Sequence, residues 1–168
     1  MAYTKLKNCL ACNSKKLRQV LDLKKQPLAN SYLKNTKVNE KKYELKVNAC
    51  LECTHLQLSI AVNPEKIYKN YDYVSGTTST YKRYMKKFYF FCIKNKSKLI
   101  HRNVLDIGCN DGSQLDIFKL NNFKTYGVDP AKNIFKISSK KHNIICDFFS
   151  KKIVKRLNQK FDFIISQN

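Results

Sequence analysis

Residues 104–115 read VLDIGCNDGSQL. An apolar run, Val104 to Ile107, meets Gly108, then Gly112, and then the start of a helical pattern. Glycines at such a turn let the backbone approach a ligand closely, and the helix start offers free N–H groups. Downstream, "KTYGVDP" reads as a second strand ending at Asp129, "AKNIFKISSKK" as a helix and "NIIC" as a third strand. "SKKIVKRLNQ" then reads as a helix and "FDFIIS" as a fourth strand. Strands alternating with helices give an α/β fold with a parallel, doubly wound sheet. An acidic residue about twenty positions after the glycine turn, at the end of the second strand, accepts hydrogen bonds from ribose hydroxyls. Asp129 holds that place and points to an adenosine-type ligand. The tip of the turn carries Asn110 and Asp111. A carboxylate there would repel a pyrophosphate and suits a ligand bearing an ammonium, as S-adenosylmethionine does. The candidate cofactor residues in this stretch are Asp106, Gly108, Asn110, Asp111 and Gly112.

Upstream, Tyr81, Tyr84, Met85, Phe88, Phe91 and Cys92 recur at helical spacing with lysines between them. They predict an amphipathic helix over residues 79–98, capped by Ser79 or Thr80 and buried by its aromatic stripe. Before it, "NYDYVSGTTST" is rich in turn formers and reads as a hinge. Residues 1–74 carry Cys9-x-x-Cys12 and Cys50-x-x-Cys53. Each CxxC can wrap a tight turn and aim two thiolates at one ion, and two such turns build the tetrahedral sulfur site that zinc prefers. Four thiolates leave no open position, so the expected zinc is structural. His55 is an alternative ligand beside Cys53. "LRQVLDL", "YELKVNAC" and "HLQLSIAV" read as extended stretches, the last from its alternation, and no helical period precedes Pro64. Cys92 and Cys146 read as packing residues. The division is therefore a zinc module at 1–74, a loop and connecting helix at 75–100, and an incomplete Rossmann-like domain at 101–168.

Apolar residues make up 43% of the 168 positions and aromatics 12%, so a packed core is expected rather than disorder. No apolar run reaches the length of a membrane span, and the start "MAYTKLKNCL" carries no secretory signal. A cytoplasmic setting with reduced cysteines follows as the expectation. The net charge of +21 is spread from end to end and is nearly all lysine, with four arginines. Nucleic-acid readers concentrate charge on one face and favour Arg, so a solvated lysine surface is the expectation, and a polyanionic partner is the alternative.

The chain resembles the N-terminal part of zinc-containing sugar C-methyltransferases, which act on nucleotide-linked deoxysugars. The resemblance rests on both CxxC pairs, "LDLKKQPLANSYL", "HLQLSIAVNPEKIY", "NYDYVSGTTS", "VLDIGCNDGSQL", "GVDPAKNI" and "CDFF". It departs at Lys24 or Lys25, where the family favours glycine. It implies a class I methyltransferase domain whose cofactor is S-adenosylmethionine, with structural zinc ahead of it. It also implies a nucleotide-diphosphate sugar with a 4-keto group as substrate. The carbon beside that group would lose a proton and attack the methyl group. Asp129 would then hold the ribose, Asp147 or Phe148 would meet the adenine, and Asn168 would lie near the methionine end. Tyr73 matches a tyrosine at the family's sugar site. The base candidates fall downstream of "FDFIISQN", and His101 and His142 read as surface residues. The implied sheet has its first strand central and the fourth beside it. On that pattern the chain is expected to be cut short, inactive and aggregation-prone alone, with a second polypeptide supplying the rest if it works. An RNA methyltransferase and a non-catalytic zinc and cofactor-binding module are the alternative readings.

Overall fold

A computed structural model describes residues 2–33, 35 and 39–167 and divides into two compact units, the first ending at Asp72 and the second beginning at Tyr73. In the first unit, β1 (Tyr3–Lys5) pairs antiparallel with β5 (Ile60–Val62). A second antiparallel sheet holds β2 (Leu17–Gln26), β3 (Tyr43–Cys50) and β4 (Leu56–Leu58), in that order. β2 is irregular between Asp22 and Lys25. There Lys24 takes φ +62 while its N–H donates to Asp22 Oδ1. Glycine would adopt that backbone without strain. Helix α1 (Pro64–Tyr68) starts at its proline, with the Asn63 side chain accepting from Glu65 N.

One expected strand is two. "HLQLSIAV" alternates throughout, but the chain changes sheets at Ser59, whose N–H donates to Lys46 O and whose carbonyl accepts from Leu6 N. The alternation continues through the crossing, so periodicity alone does not mark it.

The second unit is built on β6 (Asn103–Ile107). Val104 and Leu105 point to opposite faces of this strand and both are buried, so it needs cover on both sides. Helices supply it. α2 (Ser79–Lys94) and α3 (Ser113–Leu120) bring Tyr89, Leu115 and Phe118 onto the Val104 face. α5 (Lys151–Leu157) brings Ile153 onto the Leu105 face. The strands β7 (Lys124–Val128), β8 (Asn143–Ile145) and β9 (Phe163–Ile165) complete a parallel sheet ordered β8-β7-β6-β9. Within the sheet the first strand, β6, is central and the fourth, β9, beside it, as the sequence resemblance implies. α4 (Lys132–Ser138) joins β7 to β8. Among the described residues no strand pairs with the outer edge of β9, where Ile164 is exposed.

α2 differs from the expected helix in three respects. It ends at Lys94, and its cap is Thr78, whose hydroxyl accepts from Tyr81 N. Its buried side is centred on Met85 and Tyr89, while Tyr84 and Phe91 are exposed. The spacing 81, 85, 88/89 and 92 follows one helical row, and positions 84 and 91 lie one step around from it. His142 is also corrected: it is buried, wedged behind the glycine turn, and not a surface residue. Among the described residues no helix is long and apolar enough to cross a membrane.

Candidate functional site

In the first unit the two CxxC segments close the same turn twice. Cys9 O accepts from Asn13 N and Cys50 O from Thr54 N. The residue after each pair is left-handed, Asn13 at φ +63 and Thr54 at φ +61. A left-handed β-branched residue is a steric outlier, so Thr54 marks a turn held by something stronger than local preference. Cys9 Sγ lies 3.6 Å from Cys53 Sγ, and Cys12 Sγ lies 3.6 Å from Cys50 Sγ. All four sulfurs fall within 4.8 Å of one another. Zinc–sulfur bonds of about 2.3 Å place tetrahedral sulfurs about 3.8 Å apart. The set therefore fits zinc with no further ligand. His55 is outside this group, and its carbonyl accepts from Cys50 N. Backbone N–H groups of Cys53 and Glu52 aim at the Cys50 sulfur and hold its thiol down to about 6. Against the lowering pull of the Ser14 N–H, the crowded neighbouring sulfurs push the Cys12 thiol up to about 12, a competition that a bound cation removes. Gln57, buried on β4, fixes the first turn by accepting from Leu10 N and donating to Asn8 O.

In the second unit the glycine turn lies at the carboxyl end of β6. Gly108 and Gly112 have φ near +80 and Asn110 has φ +48, so the chain makes three left-handed steps before α3. Gly108 N donates to Val128 O, which locks the turn to the end of β7. Asp129 follows directly, and its carboxylate accepts from Asn110 N at 2.9 Å and from Ala131 N at 2.8 Å. Asp147 and Phe148 stand beyond the end of β8, at the same carboxyl edge of the sheet, with Phe148 N bonded to Asp147 Oδ1. Asn168 lies outside the described residues.

The tip residues serve a purpose that their types alone do not reveal. Asn110 Nδ2 donates to Tyr73 O, and Asn110 Oδ1 accepts from Ser75 N. Asp111 Oδ2 accepts from Gly76 N and Ser113 Oγ, and Asp111 Oδ1 accepts from Ser113 N. Both side chains therefore clamp the segment 73–76, which forms a short 3-10 turn at Ser75–Thr77, onto the glycine turn. Gly76 lies so close that a Cβ there would overlap Ser113 Oγ and sit 2.6 Å from Asp111 Oδ2. Gly76→Ala should therefore lift this segment off the turn. Hydrogen exchange of the Ser75 and Gly76 amides should rise about tenfold or more if each clamp bond contributes about 1.5–3 kcal/mol. Unchanged exchange would contradict the clamp.

Asp106 is buried at the end of β6 behind the turn. Burial and the neighbouring Asp129 charge push its carboxyl up to about 7. With Ser75, Tyr81, Asp111, Gln114 and Gln167 it lines a small cavity of about 30 Å³. Gln114 Nε2 donates to Met85 O, and its buried Oε1 has no hydrogen-bond partner among the described residues. An orphaned amide oxygen, a crowded carboxylate and the Asp111 carboxylate converge on a space about the size of one water. Two carboxyl groups and an unpaired amide oxygen at one place favour an ammonium over a phosphate. Burial, with Tyr73, Tyr84, Asp106 and Asp111 nearby, raises the Tyr81 hydroxyl above its usual range. Tyr73 is half exposed at the start of the clamped segment.

The sequence reading passed over Gln114, Tyr81, Ser75 and Gln167. Gln114, the second residue of the helix, was legible in principle, because that position faces the strand end. The others depend on tertiary packing.

Residues 9–68 match a family described as "Putative zinc binding domain", and residues 70–168 match one described as "Methyltransferase domain". A curated relative is the "C-methyltransferase NovU" of Streptomyces niveus, 25% identical over 128 residues. The match takes in 75% of this chain and 30% of that protein, so the chain spans well under half the length of its relative. Similar solved structures include the plantazolicin methyltransferase BpumL in complex with SAH, at 24% identity and a TM-score of 0.39. That match covers 50% of this chain and 34% of the other. A SAM-dependent methyltransferase from Archaeoglobus fulgidus is 26% identical with a TM-score of 0.39, covering 49% and 37%.

Proposed function

Because this chain belongs to the methyltransferase-domain family, with S-adenosylmethionine and zinc as its cofactors, we propose that it serves C-methylation of a nucleotide-linked keto-deoxysugar. The observation that supports the cofactor site is the cavity under the glycine turn, where the buried Asp106 carboxyl stands beside Gln114 Oε1, an amide oxygen without a partner among the described residues. The sugar is what the resemblance of the sequence to sugar C-methyltransferases implies, and methylation at carbon is in keeping with the printed name of the curated relative.

S-adenosylmethionine supplies an electrophilic methyl group on its sulfonium. This chain's residues would bind and orient it. Gly108 and Gly112 open the backbone, and Asp106 with Gln114 Oε1 would receive the ammonium. Asp129 uses its carboxylate on two backbone N–H groups, and a carboxylate offers about four acceptor positions. Room remains for the two ribose hydroxyls. Asp147 or Phe148 would border the adenine. Tyr73 and Tyr81 would border the sugar. The four cysteines hold the first unit's turns and take no part in the chemistry.

Asp106 gives this reading a pH signature. In the free protein its folded value of about 7 lies above the ordinary 3.8. Its contribution to stability is therefore full below about 3.8 and is lost as pH rises to about 7. An ammonium reverses this preference, because it favours the ionised carboxylate. Affinity for S-adenosylmethionine should rise about tenfold between about pH 5.5 and about pH 7, and Asp106→Asn should flatten the profile. A wild-type profile already flat over that range would remove Asp106 from the site.

The activity test is methyl transfer from labelled S-adenosylmethionine to keto-deoxysugar nucleotides, with the label located on the product. Label on a sugar carbon supports the reading. Label on oxygen or nitrogen, or on RNA in place of the sugar, overturns it.

A further inference from the structure

Behind the glycine turn lies a buried histidine that the cofactor reading does not use. His142 follows α4 and precedes β8, and its side chain is fully enclosed. Nδ1 lies 2.9 Å from Thr125 Oγ1 on β7, the strand that ends just before Asp129. Nε2 lies 3.3 Å from Asp116 Oδ1 in the first turn of α3, without hydrogen-bond geometry. Asp116 is itself held: its N–H donates to Gly112 O, and its other oxygen accepts from Lys141 Nζ at 3.0 Å. The ring edge faces Gly112 so closely that a Cβ there would sit 2.6 Å from His142 Cδ2 and 2.9 Å from Nε2. Gly112 is thus required twice, for its φ of +80 and for the ring beneath it.

We propose that His142 is a positioning residue for the cofactor: its imidazole is the wedge that sets Gly112 and the start of α3, and it ties that turn to the strand that leads into Asp129. This inference rests on the S-adenosylmethionine reading of the site. The alternative is that His142 only fills the core between α3 and α4. A ring packed edge-on against a glycine of the cofactor turn and bonded to the strand that leads into the ribose carboxylate does more, because a shift of the ring moves both halves of the crevice. Burial, with Lys119 and Lys141 nearby, holds the imidazole below its usual value, against the opposing pull of Asp116, so the wedge is neutral at pH 7.5.

The test is calorimetric binding of S-adenosylmethionine to the 168-residue chain at pH 7.5. Removing the ring leaves a void under the turn, and His142→Ala should weaken binding about tenfold with zinc content unchanged. His142→Gln, which keeps a polar group against Thr125, should recover most of that loss. Gly112→Ala should be harmful alone. Its effect should be less than additive with His142→Ala, because the missing ring makes room for the new methyl group. A second readout does not depend on a variant folding. The chain has three histidines, and the His142 ring resonance should shift on cofactor addition while that of His55 stays put. If His142→Ala is folded and binds within about twofold of wild type, or the double variant is additive, the inference is wrong. If the alanine variant does not fold, an unmoved His142 resonance at saturating cofactor overturns it. Wild-type chain that binds no S-adenosylmethionine would instead sink the cofactor reading itself.

Discussion

Replacing Cys50 with serine abolishes zinc binding and unfolds the first unit. The expectation follows from how little else holds that unit together. Its buried side chains among the described residues are Cys9, Tyr43, Cys50, Gln57 and Ile60, and two of those five belong to the cysteine cluster that would hold the zinc. β2 is exposed along nearly its whole length, with Val20, Leu21 and Leu23 open to solvent. A structural zinc site supplies on the order of 10 kcal/mol to folding, more than so small a core can replace. Serine is a poor zinc ligand, and the three thiolates left would gather charge without an ion to offset it. Metal analysis should fall from one zinc per chain to near zero. Amide protection across Leu17–Cys50 should vanish, and a chelator should do the same to the wild type. Retained protection in the zinc-free variant would show that the sheet stands without metal.

Replacing Asp129 with alanine should cost about 3 kcal/mol of S-adenosylmethionine affinity or more, roughly a hundredfold. Two losses combine. The ribose hydroxyls lose their acceptor, and the N–H groups of Asn110 and Ala131 lose theirs inside a buried turn. The second loss loosens the glycine turn itself, so the effect should exceed that of a single ligand contact. Asp129→Asn keeps one acceptor oxygen and should fall between the two. The check is titration with the cofactor. An alanine variant that binds within threefold of wild type would remove Asp129 from the site.

The sheet was legible because each of its strands is an apolar run separated by a helix-period segment, and the pattern has few alternative foldings. The turn was legible because Gly108 and Gly112 bracket it. The four cysteines were legible from spacing alone, and their sulfurs do converge. What the sequence concealed depends on distant partners. Asn110 and Asp111 read as ligand groups, and the sequence does not show that they also hold Tyr73, Ser75 and Gly76, more than thirty residues upstream. His142 read as a surface residue because it matches no catalytic position of the resembled family, but the turn after α4 carries it inward. Ser59 sits in unbroken alternation and still separates two sheets. Tyr84 and Tyr89 are the same residue type on one helix, and only the packing of α3 decides which is buried.

The central claim is that the crevice at Gly108–Gly112 is built for S-adenosylmethionine and not for a dinucleotide. Equilibrium binding to the zinc-loaded chain tests it directly, with S-adenosylmethionine and a nicotinamide dinucleotide titrated side by side. The account predicts saturable one-to-one binding of S-adenosylmethionine that weakens sharply in Asp129→Ala, and no saturable binding of the dinucleotide. Dinucleotide binding as tight as that of S-adenosylmethionine, or no binding of S-adenosylmethionine at all, would contradict it.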